Sequence, residues 1–257
     1  MDFDEPEDIF DKLAALGEPK AEFMVGSRVL VRNLVLAPLL VLAGLGIEFL
    51  VFRFIGHSFE LIMLGMGLVL TGVMLVVRAY RNRGLRVLVF AEGLVRVRGE
   101  EGQAMFWDEV DVLWRKKTEG HWEVIWKGSL SYIVQGADRK ALKFDDAIPR
   151  LAELGRIMQR ETFAHLWQRY FEAYEKGATL DFGKIRLSQR GISTDTGKLA
   201  WGDVQEVKFD ENQVTVSKKG KWGSWFQSKV SEIPNYHVCK AVIERALATR
   251  GTQEVRR

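Results

Sequence analysis

Three carboxylates crowd one tryptophan in AMFWDEVDVL, residues 104–113: Asp108, Glu109 and Asp111 beside Trp107. Paired carboxylates do general acid–base work when a fold holds them together. The stretch recurs, however, as KLAWGDVQEV at residues 198–207, where Asp108 aligns with Gly202 and Asp111 with Gln205. Of the acids only Glu109 and Asp203 correspond, so the cluster is expected to cap turns, and Trp107 and Trp201 to fill a core.

Other reactive residues are sparse. The lone cysteine, Cys239, excludes an intramolecular disulfide and any multi-cysteine metal site. It stands two residues from His237 on a helix-like stretch, a spacing that points the two side chains to different faces. Histidines 57, 121, 165 and 237 lack metal-ligand spacing, and no glycine-rich loop enters a helix as a nucleotide site requires. No catalytic residue, metal or cofactor is therefore expected, and the protein reads as a non-enzyme.

Bases and aromatics mix in WRKKTEGHW (114–122) and SKKGKWGSWF (217–226). Lys116, Lys117, Lys218, Lys219, Lys221, Trp222 and Trp225 form a candidate membrane-facing or partner-facing patch, since lysine attracts anionic headgroups and indole rings favour the interface. A formal charge of +3 is too small for a nucleic-acid binder, which needs a concentrated basic face.

These candidates hang on an uneven chain. Residues 34–52 and 59–77 are two apolar runs of about nineteen residues, or ~28 Å of helix, enough to cross a hydrocarbon core. Neither shows the polar stripe of a soluble helix. Pro38 is expected in the first turns of its helix, and glycines 44, 46, 65, 67 and 72 permit close helix approach, with Gly67 and Thr71 a small-xxx-small pair. Lys20, Arg28 and Arg32 precede the hairpin and Arg78, Arg81, Arg83 and Arg86 follow it, which predicts that both termini are cytoplasmic. Glu48 is the one ionisable residue within a span; a proton relay competes with local pairing, for instance to Arg53. The acidic N-terminus lacks the pattern of a secretory leader, and Pro6 with Ile9, Phe10, Leu13 and Leu16 allows a short helix ending near Gly17.

Downstream, Gly93-Leu94 and Gly191-Ile192 each precede a Trp-x-acid-Val signature, Trp107, Glu109, Val110 and Trp201, Asp203, Val204, with Leu113 and Val207 three places on. Ile148-Pro149 and Ile233-Pro234 then open helix-like patterns. Self-similarity over this length predicts a duplicated module. Alternation in LVRVR, HWEVIW and LSYIV predicts antiparallel hairpins. Residues 150–177 read as one long helix or two, ending at Gly177.

The order of two apolar spans, then EGLV…FWDEV, LDFGKIRLSQRGIS…LAWGDV and EIPNYHV, resembles an uncharacterised bacterial family with a membrane hairpin and tandem pleckstrin-homology-like (PH-like) domains. The resemblance implies an α+β fold: a two-helix transmembrane hairpin, then two curved antiparallel sheets each capped by a C-terminal helix. It implies no catalytic residues. The expected boundaries are an acidic cytoplasmic segment 1–27, a hairpin 28–84, PH-like domains 85–165 and 178–250, a helical connector 166–177 and a tail 251–257. The expected role is protein or peptide binding at the cytoplasmic face of the inner membrane, a scaffold or adaptor. The alternatives are anionic-lipid headgroup binding and an accessory subunit of a transport or secretion assembly.

Overall fold

The computed structural model describes residues 15–25, 27–56, 58–99, 101–117 and 129–254. The expected N-terminal helix, the HWEVIW strand and histidines 57 and 121 lie outside the described residues, apart from the end of that helix at Leu16.

The two apolar runs form helices, α1 (Ser27–Leu50) and α2 (Phe59–Arg81), both long and apolar enough to cross a membrane. They pack along a seam set by spacing. Ala37, Gly44 and Val51 recur every seven residues on one side, and Gly65, Gly72 and Ala79 on the other, all buried. A seven-residue repeat keeps one stripe facing the partner helix, and small residues on it let the backbones meet. The approach is close: a Cβ on Gly44 would sit 2.5 Å from the Gly65 carbonyl oxygen, and one on Gly72 would sit 2.8 Å from that of Ala37. Gly46 and Gly67 face open space, so only part of the expected glycine set makes the contact. Thr71 is likewise exposed and donates to its own helix, 2.7 Å from Gly67 O. Pro38 stands in the interior of α1, which begins earlier than expected. Beyond Leu50 the helix widens into a π turn, Val51–Ile55, closed by the Gly56 amide on Val51 O at 3.1 Å.

Among the described residues, fourteen strands follow the duplication. The first module has a four-stranded sheet of β1 (Pro19–Met24), β2 (Leu85–Phe90), β3 (Gly93–Arg98) and β4 (Glu101–Phe106), and a three-stranded sheet of β5 (Val110–Lys117), β6 (Leu130–Gly136) and β7 (Ala141–Phe144). Helix α3 (Leu151–Glu175) follows. The second module repeats the plan with β8 (Leu180–Phe182), β9 (Ile185–Ser188), β10 (Gly191–Thr194) and β11 (Gly197–Ala200), then β12 (Val204–Phe209), β13 (Gln213–Lys218) and β14 (Ser224–Lys229), and α4 (Tyr236–Glu254). All pairings are antiparallel. The recurring glycines have one cause. A Cβ on Gly93 would lie 2.4 Å from Met105 O, and one on Gly191 would lie 2.1 Å from Leu199 O, so neither hairpin tolerates a side chain there.

Two boundaries differ from the sequence expectation. Strand β1 lies inside the segment assigned to residues 1–27, yet it pairs with β2 from Pro19↔Phe90 to Met24↔Arg86. The first module thus starts before the hairpin and resumes after it. In the second module the same step, between β8 and β9, is the two-residue turn Gly183–Lys184. Residues 166–177 are helical to Glu175 but do not form a separate element, because α3 runs unbroken from Leu151 to Glu175, the one-helix form of the expected pattern. Its first half puts Leu151, Leu154 and Met158 into one core, and its second half puts Leu166 into the other, flanked by Phe163, Trp167 and Tyr170.

The seam makes a testable contrast. Gly44→Leu should overpack the helix contact and cost about 1–3 kcal/mol, whereas Gly46→Leu should leave stability nearly unchanged. Thermal unfolding of the two variants in detergent reads the difference.

Candidate functional site

An outer strand presents a row of backbone donors and acceptors to whatever lies beside it. In β5 that row is occupied. The second module inserts the turn before α4, and Asn235 carries the join: its amide donates to Leu113 O at 3.0 Å, and its Oδ1 accepts from the Leu113 amide at 2.8 Å. The carboxamide nitrogen donates to Asp111 O at 2.8 Å and to the Tyr170 hydroxyl at 3.1 Å. The residue is fully buried with every polar atom of its side chain engaged. Its φ of +48° lies in the left-handed region, which asparagine enters more readily than most residues. Its carbonyl meanwhile accepts from the Val238 and Cys239 amides, starting α4.

Charged groups ring the join. Arg169 of α3 donates to Val110 O at 2.9 Å and lies 3.1 Å from the Asp111 carboxylate. Arg115 donates to Glu211 O at 2.8 Å.

The corresponding edge in the second module is β12. Both outer strands carry a bulge at the same point, between Val110 and Val112 and between Val204 and Glu206, which registers Leu113 with Val207. Backbone groups alternate sides along a strand, so those of Gln205, Val207 and Phe209 face outward as those of Asp111, Leu113 and Arg115 do. Among the described residues, none hydrogen-bonds to that outer edge. The strip between β12 and the start of α4 is floored by half-buried Val207, Phe209 and Tyr236, the two rings 6.1 Å apart, with Lys240 Nζ 5.6 Å from the Phe209 ring.

The residues singled out from sequence fall in separate places. Asp111 belongs to the join; Glu109 turns back to accept from the Phe106 amide at 3.2 Å; Asp108 is exposed. The three acids therefore have three separate surroundings. Trp107 and Trp201 are core residues, 3% and 4% exposed, and the Trp201 indole donates to Ser188 O at 2.9 Å. Lys116 and Lys117 end β5, with Lys116 over the Trp114 ring and Lys117 3.9 Å from Glu211 in the β12–β13 turn. Lys218, Lys219 and Lys221 sit at the opposite end of β13, where Lys218 pairs with Val204 and the Lys219 amide donates to Asp203 O. The two lysine groups do not form one patch. Trp222 is wholly exposed at the β13–β14 turn, while Trp225 packs against the second core. Glu48 lies half-buried across the helix seam, its Cγ 2.9 Å from where a Cβ on Gly65 would be. Cys239 is buried and its thiol pKa is pushed up by that burial. Asn235 was missed by sequence reasoning; the signal was the contrast between Ile-Pro-Arg at 148–150 and Ile-Pro-Asn at 233–235.

A family model described as a family of unknown function, DUF6585, matches residues 8–252. The chain belongs to this family. Comparison with curated proteins and with solved structures returned no match. The DUF6585 match spans the hairpin and both modules, which agrees with a unit welded at Asn235 and along α3.

Two outcomes test that weld. Asn235→Ala strands the Leu113 amide and Asp111 carbonyl and places a Cβ-bearing residue without a local partner in left-handed backbone, so stability should fall by about 3 kcal/mol. Asn235→Gly, which relieves the backbone cost, should fall by about 1 kcal/mol less; thermal unfolding in detergent compares them.

His237, packed 6.0 Å from the Phe163 ring between α3 and α4, has its pKa lowered to about 4 by burial, and its Nε2 is shielded without a hydrogen-bond partner. The unfolded imidazole titrates near 6.5, so between these values the unfolded chain binds a proton that the folded one does not. Stability should therefore fall as pH drops from about 6.5 to 4, by about 3 kcal/mol from this group, and level off below. Melting His237→Phe beside the unmodified protein at pH 7 and pH 4.5 should show a shallower acid loss in the variant.

Proposed function

We propose that this DUF6585 protein is a non-enzymatic two-pass membrane scaffold whose tandem PH-like modules capture an extended peptide on the open edge of β12 at the cytoplasmic face. The observation that carries the reading is internal. The β5 edge of the first module already holds an Ile-Pro-Asn segment through one backbone bond and the Asn235 carboxamide, which together engage both backbone groups of Leu113, and Val207 offers the same two backbone groups on β12. Addition of a strand to an exposed edge is a general route to peptide recognition, with main-chain bonds supplying affinity and adjoining pockets selectivity. Here the strip of Val207, Phe209 and Tyr236 supplies the apolar contact.

The PH-like assignment is supported by the plan of each module: four strands, then three, then a closing helix. Membrane insertion is supported by the broad apolar exterior of the hairpin, where Leu34, Leu42, Phe49, Leu70 and Met74 are all more than half exposed, a surface costly to keep in water. The basic residues at its module end, Lys20, Arg32, Arg78 and Arg81, favour a cytoplasmic placement of both modules.

Val207→Pro removes an outward amide and should leave the β12–β13 ladder intact, since proline is tolerated at outer strand positions. A display library of extended peptides, panned on the full protein in nanodiscs, should yield binders that lose at least tenfold in affinity on Val207→Pro. A library that enriches no peptide above background counts against the reading.

A further inference from the structure

Helix α2 runs almost directly into the first module: only Asn82, Arg83 and Gly84 separate Arg81 from β2, and Gly84 takes a φ of +75° at the bend. The base of the helix is thus held against the sheet, and the angle between them encloses a cavity of about 500 Å³. That is ample for a small-molecule headgroup.

Its walls differ in kind. One is the outer face of α2, with Val73, Met74 and Val77 between 49% and 72% exposed. The other is cationic. Along β3, Leu94 points into the core, and two and four residues on the same face carries Arg96 and Arg98, so the face turns basic as the strand leaves the core. Arg78, Arg81 and Lys143 complete the basic part of the lining, which includes one acid, Asp145. The guanidinium groups are placed by the fold: Arg98 Nε donates to Arg81 O at 2.8 Å, and Arg78 is held by Asp146 at 2.6 Å. Arg96 is different. Its Nε is shielded from solvent with no hydrogen-bond acceptor, and burial and the neighbouring Arg98 lower its pKa from the ordinary arginine value.

Arginine stays charged in proteins and matches phosphate oxygens with its planar fork. With Asp146 pairing Arg78, five bases still exceed two acids, an excess of positive charge that favours an anion, and the apolar wall continuing up α2 favours an anion that is the head of an amphiphile. We propose that this cavity binds the phosphate headgroup of an anionic phospholipid, with an acyl chain lying along Val73, Met74 and Val77. The inference rests on insertion of the hairpin in a bilayer and is independent of peptide capture on β12. Lipid headgroups are commonly held in basic recesses beside membrane helices. The site differs from the lysine turns at residues 116–117 and 218–221.

The test uses the full chain, first shown to remain in the membrane fraction after alkaline carbonate extraction, so that failed insertion is seen separately from failed lipid binding. Detergent-solubilised protein is titrated with phosphatidylglycerol, phosphatidic acid or phosphatidylcholine, and bound lipid is counted by native mass spectrometry. One anionic lipid should bind at least tenfold more tightly than phosphatidylcholine. Arg96→Gln should abolish that preference, and Lys143→Gln, at an exposed strand position and safe for folding, should weaken it severalfold. Combined substitution of Lys218, Lys219 and Lys221 by Gln should leave it intact. Equal binding of phosphatidylcholine, or preference retained in both Arg96→Gln and Lys143→Gln, overturns the proposal. Inorganic phosphate or glycerol 3-phosphate competing as strongly as the lipid would assign the site to a soluble phosphate and overturn the lipid source.

Discussion

The architecture of the soluble part depends on one residue's ability to act as a piece of strand and as a helix start at once. Asn235 offers β5 an amide, a side-chain oxygen and a carboxamide nitrogen, so the outer edge of the first module is paired over Asp111 and Leu113 without a further strand. Its left-handed backbone turns the chain from that edge into α4. A buried edge left without partners would cost on the order of 1–3 kcal/mol for each orphaned group, so the join is needed once the modules come together. Helix α3 enforces that proximity. A rod of 25 residues, about 37 Å long, has its two halves in two cores, so neither module can rotate without uncovering apolar surface.

The same economy governs the hairpin. It occupies the place that a two-residue turn fills in the second module, and both of its ends are strands of one sheet. β1 ends at Met24 and α1 begins at Ser27; α2 ends at Arg81 and β2 begins at Leu85. The Val25 amide continues the ladder by donating to Leu85 O at 3.2 Å, so the sheet is paired up to the foot of the helices. Any tilt of the hairpin is thereby transmitted to the sheet. The β12 edge, joined to the first module through Asn235 on β5 and through α3, is carried at a set position relative to the helices.

What was legible in the sequence divides along physical lines. Long apolar runs announce helices by length and composition alone, and the Gly and Trp landmarks of the repeat mark steric and packing demands local to one hairpin: a carbonyl 2.1–2.4 Å from any added Cβ, and a core slot for an indole. Strand β1 was hidden because PKAEFM alternates weakly, carries Lys20 and Glu22, and is separated from its partner by the entire hairpin. Its counterpart LDF, three residues long, was the available hint. The basic cavity was hidden for a related reason. Arg78 and Arg81 read as flanking charges of a helix and Arg96 and Arg98 as the polar half of a strand, and only the β2–β3 pairing at the foot of α2 brings the four together. The lysine groups, conspicuous in sequence, lie on two different sheets, Lys116 and Lys117 at the end of β5 and Lys218, Lys219 and Lys221 at the end of β13.

Divergence between the copies follows what each faces. Arg150 stands where Asn235 does, after the same Ile-Pro and in the same left-handed conformation, with φ of +55° against +48°. Conformation at this position is therefore a property of the module, while side-chain chemistry reflects the neighbour. Asn235 faces a strand edge and presents a carboxamide, a side chain that copies a peptide group. Arg150 faces the first strand and its own helix instead: its guanidinium lies 5.2 Å from the Phe23 ring and 3.4 Å from the Glu153 carboxylate. A duplicated turn has thus been put to two uses, one joining the modules to each other and the other tying α3 to the strand that leads into the hairpin. Each use employs a side chain that would fail in the other place, since arginine cannot accept from the Leu113 amide and asparagine is too short to cover an aromatic ring.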